Sequence, residues 1–78
     1  MEQQWFGAAE CLGERIDYYI LPEGAEGYGV GAAYREDVVF VRNITPHREE
    51  ITALASLLCR GRVTPIALRD VVEDWLAR

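Results

Sequence analysis

The group of residues most suited to chemistry is a set of three carboxylates near the end of the chain. Asp70, Glu73 and Asp74 are spaced so that a helix places them on one flank. Such a group can bind a hard cation or act as a general acid and base. No histidine lies near it in the sequence, and acidic flanks are usually solvated or dock on basic partners. We therefore predict no metal site and treat these carboxylates as a candidate interaction surface.

The other candidates for catalysis are single residues. His47 is the only histidine, Ser56 is the only serine, and Cys59 follows two leucines in a predicted core-facing helix. A nucleophilic hydroxyl or thiol needs an adjacent base, and zinc usually takes closely spaced ligand pairs. Cys11 and Cys59 lack that spacing, so two reduced thiols are expected. The sequence predicts no enzyme and no cofactor.

Glycines alternate with larger residues in the middle of the chain. A phosphate-binding loop needs a helix after its glycines and usually a lysine, and this chain has no lysine. The alternation instead predicts a strand over residues 28–34, with Gly29, Gly31 and Ala33 on one face. A face this small lets another element approach the backbone closely.

These residues must be positioned by strands followed by helices. Strands are predicted over about 3–12, 15–21, 28–34 and 38–44, and helices over about 46–60 and 65–77. The first strand contains Gly7, Ala8 and Ala9, which disfavour it, so three or four strands remain open. A polar loop is predicted from Pro22 to Gly27.

Both helices are predicted to start at a Thr-Pro pair. The Thr64 hydroxyl can accept from an unpaired amide, Pro65 suits the first helical position, and Thr45-Pro46 repeats the arrangement. Gly61 is predicted to end the first helix in a left-handed conformation. The expected fold is α+β, a three- or four-stranded antiparallel meander followed by a two-helix hairpin packed on one sheet face.

The apolar run from Val38 to Val41 makes both faces of the sheet apolar, because successive side chains point to opposite faces. Two helices cover one face, so the other must meet the N-terminal segment, a partner or a second copy. Exposed aromatic residues dominate interaction hot spots, which makes Tyr19 and Tyr34 candidates. Core packing is the alternative for each.

Size and charge narrow the classes of function. The chain has 78 residues, 50% of them hydrophobic and 27% charged, which fits one folded domain over residues 1–78. A net charge of −5 provides no basic field, so nucleic acid is not an expected partner. No membrane-length apolar run or signal core is present, so we expect a cytoplasmic protein without a membrane partner.

Three segments of the chain resemble a family of small bacterial proteins found mainly in Firmicutes. They are Asp17-Tyr18-Tyr19-Ile20, Tyr28-Gly29-Val30 and the ending Val63-Thr64-Pro65-Ile66-Ala67-Leu68-Arg69-Asp70-Val71-Val72-Glu73-Asp74-Trp75-Leu76. The family's ending reads Val-Ser/Thr-Pro-x-x-Leu-x-Asp-Val-Val/Ile-Glu-Asp-aromatic-Leu. The family is a domain of unknown function. The resemblance implies a bacterial cytoplasmic origin and carries no catalytic residues.

The expected function is a non-catalytic protein-interaction or regulatory module that self-associates and has an unidentified protein partner. A small-ligand-binding regulatory domain is the alternative, with its pocket between the glycine-bearing strand face and the helices or between subunits. An enzyme would need His47, Cys59 or two carboxylates gathered in a concave site.

Overall fold

A computed structural model of the protein describes residues 3–22 and 27–78. The strands are β1 (Gln4–Cys11), β2 (Glu14–Pro22), β3 (Tyr28–Tyr34) and β4 (Asp37–Thr45), and the helices are α1 (Arg48–Arg60) and α2 (Pro65–Leu76). The four strands form one antiparallel sheet in the order β1-β2-β3-β4. This confirms the predicted α+β fold and shows that the N-terminal strand is present. Residues 23–26 of the predicted loop lie outside the described residues.

Two-residue turns set the pairing of the strands. Leu12 and Gly13 have φ values of 54° and 81° and join β1 to β2, and Arg35, with φ 58°, begins the turn from β3 to β4. Positive φ angles in short hairpin turns match the right-handed twist of the flanking strands. The turns place Cys11 opposite Glu14 at one hairpin. The register of the sheet therefore follows from short local segments.

The core lies between one face of the sheet and the two helices. Its fully buried residues come from β2, β3 and both helices: Ile16, Tyr18, Val30, Ala32, Ile51, Leu54, Leu58, Leu68 and Val72. Burial of these side chains supplies the main favourable contribution to folding. Both helices thus pack on the same sheet face, as predicted.

Tyr18 connects the sheet to the segment between the helices. Its side chain is fully buried, and its hydroxyl donates a hydrogen bond of 2.7 Å to the backbone oxygen of Val63. Burial, followed by the nearby Cys59 and Cys11 thiols, raises the pKa of Tyr18 from 10.0 to about 12. The neutral phenol is therefore the form that fits the folded state.

The two Thr-Pro pairs start their helices in different ways. Thr45 is the buried last residue of β4, and its hydroxyl accepts from the His47 amide at 3.2 Å and donates to Glu50 Oε1 at 2.6 Å. The helix itself starts later than predicted, at Arg48, with His47 in the N-cap position.

Thr64 does occupy the N-cap position of α2, but its side chain makes no capping hydrogen bond. Its backbone oxygen accepts from the Ala67 amide at 3.0 Å. The prediction that the Thr64 hydroxyl caps this helix is wrong, because the first turn is closed here by the main chain.

The end of α1 also differs from the prediction. Gly61 has an ordinary φ of −85°, and Arg62 is the left-handed residue with φ 51°. The Gly61 amide still donates to the Leu57 oxygen at 2.9 Å, so the helical pattern continues through Gly61 and the chain reverses one residue later. The predicted left-handed cap at Gly61 is therefore wrong by one position.

Candidate interaction surface

The sheet face opposite the helices presents two rows of residues across all four strands. The first row is Trp5, Tyr19, Gly31 and Phe40, and the second is Ala8, Asp17, Ala33 and Val38. We call these eight residues the open face. None of them belongs to the core cluster, and Trp5 and Val38 are 55% and 54% exposed. The open face is therefore a mostly apolar surface that the helices leave uncovered.

Trp5 is held in place by a charged pair although more than half of it is exposed. Its indole nitrogen donates to Asp17 Oδ1 at 3.0 Å, and Arg15 Nε donates to the same oxygen at 2.8 Å. The Arg15 guanidinium lies 5.7 Å from the centre of the Trp5 ring, within the range of a cation–π contact. An exposed aromatic residue with a fixed orientation loses little entropy on binding.

Phe40 of β4 and the glycines of β3 pack closely together on the same side of the sheet as the open face. The Phe40 ring leans over Gly31, so that a Cβ there would lie 2.3 Å from a ring carbon, and it contacts Tyr19 with ring centres 6.5 Å apart. At Gly29 a Cβ would lie 2.4 Å from the Val41 backbone oxygen. The close approach predicted at the glycines is thus made by β4.

A β-bulge decides that Trp5 belongs to the open face. The pairing of Gly7 with Tyr18 continues the register of the β1–β2 turn, but the register shifts between Trp5 and Gly7. Without the shift, Trp5 would pair with Ile20 on the covered face. A shift of one residue moves a side chain to the opposite face of a sheet. No sequence pattern near Phe6 indicates this bulge, so the sequence does not predict that Trp5 lies on the open face.

The five residues predicted as an interaction surface are not brought together. Tyr19 lies on the open face, whereas Tyr34 pairs with Ile16 and therefore faces the helices. The Tyr34 hydroxyl donates to the Cys11 backbone oxygen at 3.3 Å, and its ring packs against the core. The remaining three, the carboxylates of α2, are exposed in the helix layer: Asp70, Glu73 and Asp74.

The residues capable of nucleophilic or metal chemistry are dispersed. Among residues 3–22 and 27–78, no group of three or more His, Cys, Asp and Glu side chains is arranged to hold a metal ion. Both Cys11 and Cys59 are free thiols, and burial raises the pKa of Cys59, which keeps it protonated. His47 is exposed at the start of α1.

A shallow, open depression lies at the start of α1. It has a volume of about 700 Å³ and is lined by Tyr28, Pro46, His47, Arg48, Glu49 and Thr52. A pocket between the glycine-bearing face of β3 and the helices is ruled out by the fold, since that face points away from the helices. The described helices include none with the length and apolarity needed to cross a bilayer.

Comparison with known proteins identifies a family. The model of a family of unknown function, DUF6514, matches residues 9–78, so the chain belongs to that family. No curated protein and no solved structure was found to match it. The matched range includes Tyr19, Val38 and Phe40 of the open face, whereas Trp5 and Ala8 precede it.

Proposed function

We propose that this DUF6514 protein is a non-catalytic interaction module that self-associates through the open face. The carrying observation is an uncovered sheet face with an exposed Trp5, an exposed Val38 and a Tyr19–Phe40 contact between them. Sheets normally bury an apolar face against another layer. The helices satisfy this requirement on one side only, and a second sheet of the same kind satisfies it on the other.

The arrangement of the open face supports a binding role over a purely structural one. Trp5 remains 55% exposed, yet its hydrogen bond to Asp17 fixes its orientation. Tryptophan, tyrosine and arginine are the residue types enriched at interaction hot spots, and Trp5, Tyr19 and Arg15 are neighbours here.

The open face is small. It consists of two rows of residues across four strands, whereas a standard interface takes about 800 Å² of accessible surface and about 20–30 residues from each partner. Small interfaces are typical of transient complexes, so the dimer is expected to form and dissociate readily.

Sedimentation velocity over a concentration series tests the proposal. The wild-type protein should shift from monomer to dimer, and Val38→Glu should remain monomeric because it puts an unpaired charge into the interface. Ile66→Glu is the matched control, since Ile66 is 83% exposed but lies on α2, away from the open face. A wild-type protein that stays monomeric, or equal weakening by both variants, would contradict the proposal.

A small-ligand-binding regulatory role is the second candidate. It is supported by the depression at the start of α1, whose volume of about 700 Å³ lies within the range of ligand pockets. The depression is open, which limits how much of a ligand it can bury. A thermal-shift screen of metabolites tests this role, because a ligand bound only by the folded state raises the melting temperature. If no compound raises the melting temperature of the wild type more than that of a Tyr28→Ala variant, the result contradicts this role.

The proposal includes a bacterial origin and a cytoplasmic location. These follow from the sequence resemblance and are supported by the two unpaired cysteines, Cys11 and Cys59, which suit a reducing compartment. The absence of catalysis is supported by the protonated state favoured at Cys59 and by the dispersed positions of the other reactive side chains.

A further inference from the structure

We draw no further inference here: the strongest candidate, the open face of the sheet, carries nothing beyond the proposed self-association, because the Phe40 ring already covers Gly31 and nothing in residues 3–22 and 27–78 shows what covers the exposed Trp5 and Val38.

Discussion

Neighbouring residues of β2 illustrate how differently the two faces of the sheet are used. Tyr18 is fully buried beneath the helices and donates a hydrogen bond to Val63, whereas Tyr19 points to the opposite face and contacts Phe40. The residue type is the same and the sequence separation is one. Covering by the helices, rather than hydrophobicity, therefore determines which tyrosine belongs to the core and which is available to a partner.

The largest expected loss of stability comes from removing a buried side chain under the helices, in contrast to an exposed side chain on the open face. Leu54→Ala should lower the free energy of unfolding by about 2–5 kcal/mol, because it opens a cavity under α1. Val38→Ala on the open face should cost less than about 1 kcal/mol. Urea denaturation at a concentration where the protein is monomeric measures both. Equal losses would show that the open face is covered in the monomer and would remove the distinction between the faces.

Substitutions at the glycines of β3 test how closely β4 packs against them. Gly29→Ala should destabilise by about 1–3 kcal/mol, because its Cβ meets the fixed Val41 backbone oxygen. Gly31→Ala should cost less, since the obstacle is the Phe40 ring, which can rotate away. In a Phe40→Ala background the cost at Gly31 should largely disappear and the cost at Gly29 should not. Thermal denaturation of the two single glycine variants, of Phe40→Ala and of the two double variants provides the measurement. An unchanged cost at Gly31 would show that the ring is not the obstacle.

A smaller loss of stability is expected from substitutions at the residues that precede the two helices. Thr45→Val should cost about 1 kcal/mol, because the hydroxyl serves both the His47 amide and Glu50. Thr64→Val is the matched control and should cost no more than about 0.5 kcal/mol, because its side chain makes no capping bond. Chemical denaturation compares them, and a larger loss at Thr64 would reverse the assignment.

An effect of similar size at neutral pH, and the clearest dependence on pH, is expected at Tyr18. Tyr18→Phe should cost about 1 kcal/mol through the lost bond to Val63. Since burial raises the pKa of Tyr18 from 10.0 to about 12, the folded state holds this proton more tightly than the unfolded state. The resulting stability is present below pH 10 and is lost as the pH rises through 12.

Tyr19→Phe removes a hydroxyl from the open face of the same strand and is the control for this prediction. The difference in unfolding free energy between wild type and Tyr18→Phe should shrink between pH 10 and about 12. The Tyr19→Phe protein keeps Tyr18 and its bond to Val63, so the contribution of Tyr18 should be lost there over the same interval. A constant difference between wild type and Tyr18→Phe would show that Tyr18 titrates alike in the folded and unfolded states.

Much of the fold follows from local patterns that the sequence displays. The alternation in residues 28–34 identified both faces of β3, and the apolar run of β4 indicated that both faces of the sheet are apolar. The buried residues Leu54 and Leu58 of α1, and Leu68 and Val72 of α2, are each four positions apart, which is the spacing of one helix face. These patterns are readable because side-chain direction depends only on position along an element.

The candidate interaction surface was only partly readable. Tyr19 and Tyr34 look equivalent as aromatic residues in strands, but pairing places them on opposite faces. The register of the strand pairing determines which residues of the four strands lie on the same face. Without that register, the sequence does not show which face of the sheet the helices cover. The acidic residues of α2 are exposed but remote from the open face, so the prediction grouped residues that the fold separates.

By itself the sequence determined the order of strands and helices, the apolar character of both sheet faces and the absence of a strong catalytic motif. Local propensity and periodicity are sufficient for such features. Only the tertiary structure decided that the helices cover the face of Ile16 and Tyr18, and that a bulge beside Phe6 turns Trp5 toward Asp17. The physical reason is that a one-residue shift in strand pairing costs little locally but exchanges the two faces of the sheet.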